Sequence, residues 1–229
     1  MYRGQDIGDR EELVQTCLAI LSRGIEKQLY EVLPHISVVR SPAFFEPLLK
    51  LLESGKRYHQ EFAAVALGSM GDGRAIEPLV KVFMQPSSLR GSGAQSLQAT
   101  SIHALGEIGD ERASESLLEI YNLAPESDPS SSRRRIWILA AMGNLAQQGN
   151  VMAVKELTRL MRDKDSMVRA QAVTEMGSAF LQRSNEMPET VLQEIISLTR
   201  DPSEEVQTAA LASLSNLAKV GCQGAESYM

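Results

Sequence analysis

Residues 61–83, EFAAVALGSMGDGRAIEPLVKVF, return in altered form at residues 99–121, ATSIHALGEIGDERASESLLEIY. Both stretches contain Ala-Leu-Gly, then a second glycine followed by aspartate, then Arg-Ala two residues after that aspartate. Weaker copies occupy residues 140–160 and 173–198. Repetition at a period of roughly 35–40 residues is typical of stacked helix pairs. The sequence therefore predicts an all-α fold, an α-α superhelix of about six antiparallel helix pairs.

Hydrophobic periodicity and turn residues divide the chain into predicted helices that alternate between a first and a second helix of each pair. The predicted helices are residues 11–22, 25–36, 42–52, 57–70, 74–83, 95–108, 112–123, 133–148, 151–162, 166–182, 188–199 and 203–220. We expect one continuous array over residues 11–220, with a flexible N-terminus at 1–10 and a flexible tail at 221–229.

The second helix of each pair carries small residues at recurring positions. Ala63, Ala66 and Gly68 correspond to Ser101, Ala104 and Gly106, and further glycines follow at Gly143 and Gly177. A glycine inside a helix costs about 1 kcal/mol relative to alanine. Its recurrence therefore predicts close contact between successive second helices.

The charge balance argues against a nucleic-acid partner. The 229 residues carry a formal net charge of −6, whereas nonspecific affinity for phosphate comes from clustered Lys and Arg.

No apolar run approaches the roughly 20 residues of a membrane span, and the first residues, MYRGQDIGDREE, do not resemble a signal peptide. The two cysteines, Cys17 and Cys222, stand near opposite ends of the array, which favours free thiols in a reducing compartment. We predict a cytoplasmic location and no membrane association.

The pattern A-x-x-A-L-G-x-[IM]-G-D-x-R-A, present at residues 63–75 and with serine replacing the first alanine at 101–113, resembles the HEAT-like repeats of the phycobilisome-lyase type. The start of the same helix is similar at Val168-Arg169 and Val206-Gln207. The resemblance covers roughly residues 42–220 and implies a HEAT/armadillo-type solenoid. Some members of that family are bilin lyase subunits or phycobilisome degradation factors, so the resemblance leaves lyase activity and a bilin or another small ligand open. It implies no catalytic residue here.

In such arrays the second helices line the concave face, so we aligned them on Gly68, Gly106, Gly143, Gly177 and Ser215. The position six residues before the glycine contains Phe62, Thr100, Trp137, Gln171 and Ala209, and the position three before it contains Val65, His103, Ala140, Thr174 and Ala212. Neither column carries the small-residue signature of the core. Both are therefore expected to face the groove, although a register shift by one residue would place Trp137 in the core instead.

Two further features have both a binding interpretation and a structural one. Arg133, Arg134 and Arg135 open one second helix and could hold a carboxylate or phosphate, or Arg135 could fill the slot of Arg169 and pair with an acidic turn. His103 and Glu107, at i and i+4, could contact a partner or simply each other. The three histidines are scattered, without neighbours at metal-ligand spacing, so we expect no metal site.

Two longer linkers, residues 85–94 and 124–132, each join a first helix to its second helix. They are therefore expected at one edge of the array, where insertions often serve binding. Tolerated loops without a function explain the same insertions equally well.

These patterns predict a noncatalytic scaffold or adaptor that binds a protein partner along the concave face and needs no cofactor. The candidate binding residues are Phe62, Val65, His103, Glu107, Arg133, Arg134, Trp137 and Gln171. Two alternatives remain open: a bilin lyase or phycobilisome-remodelling factor, and a DNA-alkylation-repeat-like nucleic-acid binder. The net charge of −6 argues against the second.

Overall fold

The computed structural model describes residues 3–84, 92–123 and 129–228, and within them all regular structure is helical. The twelve α-helices of these residues are α1 (Arg3–Arg23), α2 (Glu26–Val39), α3 (Phe45–Glu53), α4 (Arg57–Met70), α5 (Ile76–Met84), α6 (Ser92–Glu107), α7 (Glu111–Leu123), α8 (Pro129–Gln147), α9 (Val151–Leu160), α10 (Ser166–Ala179), α11 (Glu189–Ser197) and α12 (Glu204–Lys219). The predicted all-α class of paired helices is confirmed. The linker residues 85–91 and 124–128 lie outside the described residues, so the predicted role of the two linkers stays a prediction.

Helix starts account for most differences from the predicted bounds. Two first helices begin with a single 3-10 turn, Pro42–Phe44 before α3 and Gly73–Ala75 before α5. In both turns a side chain caps the backbone, since Ser41 accepts from the Ala43 N–H and Asp72 accepts from the Arg74 N–H. The Ser and Asp caps therefore give these two helices a defined start.

Helix contacts divide the chain into two compact units, Met1–Asp110 and Glu111–Met229. In the first unit α2, α4 and α6 pack in sequence, and α3 and α5 pack against the same second helices. Its fully buried large side chains include Leu29, Leu48, Phe62, Leu79 and Ile102. In the second unit α8, α10 and α12 pack in sequence, with α7, α9 and α11 as their partners. The prediction of a single array over residues 11–220 stays a prediction.

Close glycine contacts between successive second helices match the sequence prediction within each unit. A Cβ atom on Gly68 would lie 2.7 Å from the Ala104 Cα atom, and one on Gly177 would lie 2.7 Å from the Ser213 Cβ atom. A Cβ on Gly143 would fall on the Glu175 carboxylate. These glycines therefore let the helix backbones approach, which explains why the repeat retains them despite their helix propensity.

Residues 221–228, which we expected to form a flexible tail, pack against the second unit. Cys222 is buried and its thiol lies 3.8 Å from the Ser184 carbonyl oxygen, while Ala225 is also buried. At the other end, α1 extends to Arg3, within the segment expected to be flexible. Cys17 and Cys222 are both free. No helix in the described residues combines the length and the hydropathy needed to span a bilayer.

Candidate binding groove on the second helices

Each unit has an accessible face on its second helices, called here its inner face: α4 and α6 in the first unit, and α8, α10 and α12 in the second. The column three residues before the recurring glycine lies on it in both units, as expected. Its members are half-buried or exposed: Val65, His103, Ala140, Thr174 and Ala212. This column is therefore available to a partner.

Phe62 does not lie on the inner face, and the expectation that it would be exposed was wrong. Its side chain is fully buried, and an aromatic ring from α2 packs against it. The Tyr30 ring packs edge-on against Phe62 with centroids 5.7 Å apart, and Tyr58 packs against Tyr30 at 5.3 Å. Tyr30, on α2, is 46% exposed, so the tyrosines present the aromatic surface at this place.

His103 and Glu107 are exposed on α6, with the His103 Nε2 atom 4.0 Å from the Glu107 carboxylate. Their side chains are 65% and 44% accessible. An exposed pair at this spacing contributes little stability. Both side chains are therefore accessible, as either interpretation of the pair requires.

Trp137 is half-buried on α8. Its burial is therefore intermediate between the exposed position that was expected and the core position that a register shift would give. Its neighbour Ile136 lies seven residues before Gly143 and lines a groove, together with Gln171 of α10. Helical residues seven and ten before the glycine share a face with the residue three before it. In the second unit the groove is therefore lined by residues from the columns at three, seven and ten and also by Gln171 and Ala209 from the column at six.

The groove of the second unit has a volume of about 650 Å³ and is formed by the three second helices of that unit. It is called here the α8–α10–α12 groove. Its lining residues are Ile136, Met167, Ala170, Gln171, Thr174, Glu204, Glu205, Thr208, Ala209 and Ala212. Five of these ten residues are apolar and are called here the floor of the groove: Ile136, Met167, Ala170, Ala209 and Ala212. Met167 is 45% exposed. The arrangement suits contact with side chains of a partner.

Charges are distributed unevenly along this groove. Glu204 and Glu205 stand exposed at the α12 edge, whereas Arg133 is exposed and Arg134 half-buried at the start of α8. Neither glutamate forms an ion pair within the part of the chain that the structure describes. The α12 edge therefore presents two exposed carboxylates.

A further carboxylate is partly buried behind Gln171. The Gln171 Nε2 atom donates to Glu175 Oε1 at 2.6 Å. Burial raises the pKa of Glu175, and the Gln171 hydrogen bond partly opposes this rise. In the equivalent slot the neighbouring helices carry Ala104 or Ser213, so Glu175 departs from the small residues of the repeat.

Arg135 has a structural role rather than a place in the groove. Its guanidinium lies 5.3 Å from the centroid of the Tyr121 ring, which provides a cation–π contact. The Tyr121 hydroxyl donates to Asp163 at 3.3 Å, and burial foremost raises the pKa of Tyr121 to about 12. Arg135 thus helps to hold α8 against α7, and its predicted pairing with an acidic turn stays a prediction.

A second groove of about 620 Å³ lies on the outer helix α9 and the turn after it. It contains Lys155, Arg159, Arg162 and Lys164. Two of these cations are already engaged, since Arg159 pairs with Glu156 at 2.8 Å and Arg162 pairs with Glu194. This surface is therefore less available to an anionic partner than its composition suggests.

With the stacked helix pairs and their glycine contacts established, the repeat can be compared with known families. The sequence matches the family described as HEAT repeats over residues 45–133 and 122–215. The chain belongs to the HEAT repeat family. HEAT repeats commonly serve as protein-interaction scaffolds. No curated protein matches the sequence.

The two columns aligned in the sequence contain four of the residues that line this groove, Gln171, Thr174, Ala209 and Ala212, and the sequence interpretation missed the other six. Ile136, Ala170 and Thr208 form the column seven residues before the glycine, and the helical period alone places that column beside the exposed one. Tyr30 was missed because it belongs to α2 of another helix pair, and Tyr58 because it lies on α4 ten residues before Gly68, outside the two aligned columns. Glu204 and Glu205 had a local explanation, since acidic residues in a first turn complement the helix dipole.

Proposed function

We propose that this HEAT repeat protein is a noncatalytic scaffold that binds a protein segment along its inner face, with the α8–α10–α12 groove as the main contact. The observation that carries the proposal is the groove itself. It combines an apolar floor at Met167, Ala170 and Ala209 with polar edges at Gln171 and Glu204. A floor of this kind with a polar rim is the usual composition of a protein interface.

The open form of the groove supports a polypeptide rather than a small molecule. Small-ligand sites usually bury 70–90% of their ligand, and an open groove across three helices buries less. The glutamates at the α12 edge would also repel a phosphate backbone, which argues against nucleic acid.

The motif shared with phycobilisome-lyase repeats gives no specific support for a lyase. Its glycines and its aspartate are explained by helix packing and capping: Gly68 contacts Ala104, Gly71 adopts a positive φ of 70° at a helix end, and Asp72 caps the next turn. An absorbance shift on mixing the protein with a bilin would reopen that alternative.

The test compares groove variants with matched outer-surface variants. Thr174→Arg and Ala212→Arg place a bulky cation on exposed positions of the groove. Val151→Arg and Leu123→Arg do the same at positions that are 73% and 62% exposed on α9 and α7. Affinity capture from the native extract, quantified by mass spectrometry, should lose a discrete partner with the groove variants only. Equal capture by all four variants contradicts the proposal.

A further inference from the structure

The exposed acidic edge of the α8–α10–α12 groove specifies the chemistry of its occupant. We infer that the groove receives a polypeptide segment whose apolar side chains contact the floor and whose Lys or Arg side chains meet Glu204 and Glu205. This inference rests on the proposed function and adds the charge of the partner to it.

The apolar part of the inference follows from the floor. Ile136, Met167, Ala170, Ala209 and Ala212 come from three different helices and meet in one groove. Short side chains on α10 and α12 leave room above them, so a partner can insert larger apolar side chains. Burying such side chains is the main favourable term in association.

The basic part of the inference follows from the α12 edge. Glu204 and Glu205 are both exposed and both line the groove. The helix dipole accounts for acidic residues in a first turn, but it does not require both carboxylates to stand at the groove edge. A cation from a partner placed there gains attraction from two carboxylates, which raises the association rate and fixes orientation.

The remaining charged groups of this face set the direction of the segment. Arg133 and Arg134 belong to α8, and neither of them lines the groove. Glu175 lies under Gln171 of α10, which donates to its carboxylate. The negative charge is therefore concentrated toward α10 and α12. The basic residues of the segment should lie over α12 rather than over α8.

The test uses three synthetic peptides of equal length: one of alternating leucine and lysine pairs, one with glutamate for lysine, and one with serine for leucine. Methyl NMR spectra of the full chain report on Ile136, Met167, Ala170, Ala209 and Ala212. The leucine–lysine peptide should shift these methyl signals, while the other two peptides bind about tenfold more weakly or not at all.

A charge exchange makes the test specific. The variant Glu204→Lys/Glu205→Lys should lose about tenfold or more in affinity for the leucine–lysine peptide and should gain affinity for the leucine–glutamate peptide. The control Glu115→Lys/Glu119→Lys makes the same change in net charge on exposed positions of α7 and should leave both affinities unchanged. Equal effects of the two variants, equal binding of the acidic peptide to the wild type, or shifts confined to methyls outside the groove overturn the inference.

Failure of this inference is distinguishable from failure of the proposed function. If cellular capture depends on Thr174 and Ala212 but the leucine–lysine peptide does not shift the groove methyls, a protein binds there and its charge is wrongly assigned. If capture is independent of Thr174 and Ala212, the scaffold proposal fails whatever the peptide result.

Discussion

Helix α10 has two neighbours among the second helices, and its two interfaces are built differently. Against α12, Gly177 contacts Ser213 and the Arg169 guanidinium forms a bidentate pair with Asp201, at 2.9 and 2.7 Å. Against α8, Gly143 faces the carboxylate of Glu175. In the first interface the Arg169 guanidinium and the Asp201 carboxylate pair with each other. In the second interface the carboxyl group of Glu175 is partly buried. The same repeat geometry therefore accommodates either a hydrogen-bonded ion pair or a partly buried carboxyl group whose burial costs free energy.

The largest expected effect comes from removing the ion pair of the α10–α12 interface. Asp201→Ala should lower the free energy of unfolding by about 2–3 kcal/mol, because it removes the carboxylate that pairs with the Arg169 guanidinium and leaves it only the Asp163 and Lys164 carbonyl oxygens. The Arg169 and Asp201 side chains are only 13% and 6% exposed. Urea denaturation measures the change.

The matched control for that prediction is Glu194→Ala. Arg162 and Glu194 form the same bidentate contact, but the Arg162 side chain is 70% exposed. An ion pair with a largely exposed partner contributes less stability than a buried one, so this variant should cost much less than Asp201→Ala. Equal losses for the two variants would show that burial does not decide the value of the pair.

The next effect tests the small-residue contact of the same interface. Gly177→Ala should destabilise the protein by about 1–3 kcal/mol because the added methyl overlaps Ser213. The nearest Ser213 atoms, Cβ and Oγ, would lie 2.7 Å away. Chemical denaturation should show the loss, and a second-site Ser213→Gly substitution should recover part of it. A Gly177→Ala protein as stable as the wild type contradicts the close contact.

Gly143→Ala should cost less, below about 1 kcal/mol, since the nearest atom is the flexible end of Glu175 and alanine improves helix propensity by about 1 kcal/mol. The cost should fall further in a Glu175→Ala background. A double-mutant cycle over Gly143 and Glu175, measured by urea denaturation, gives the coupling. A coupling of zero would mean that the two residues do not compete for the same space.

The smallest expected effect separates the two interfaces by pH. Burial raises the pKa of Glu175 above its ordinary value of 4.5, so the stability associated with its neutral form is present below that value and lost as pH rises through the folded-state pKa. Glu175→Gln should therefore gain stability relative to the wild type as pH increases. Denaturation across pH measures the difference.

Asp201 should show the opposite sign. The hydrogen bonds from Arg169 foremost lower the pKa of Asp201 below its ordinary value of 3.8, so its contribution is present above that value and lost as pH falls through the folded-state pKa. Asp201→Asn should be less stable than the wild type at neutral pH, and this difference in the free energy of unfolding should shrink as the pH falls through the folded-state pKa of Asp201. The same sign for both residues would remove the contrast between the interfaces.

The elements predictable from the sequence are those encoded by local periodicity. The helices and the glycines at 68, 143 and 177 follow from spacing within one repeat, and the structure confirms both. The burial of Phe62 was not predictable in this way, because Tyr30 reaches it from another helix pair. The groove edge at Glu204 was also missed, since the helix dipole already explained an acid there. A repeat pattern therefore does not predict the burial of a residue by a side chain from another helix pair. It also does not separate the two possible roles of a residue that the helix dipole already explains.

The position of Trp137 gives this protein a built-in optical reporter. It is the single tryptophan of the sequence, half-buried on α8 and next to the groove residue Ile136. Its fluorescence emission therefore reports on Glu111–Met229, whereas unfolding confined to Met1–Asp110 should register mainly in the far-ultraviolet circular dichroism. Non-coincidence of the two signals during denaturation would reveal units that unfold separately. The same emission should shift when a segment covers the groove, without any added label.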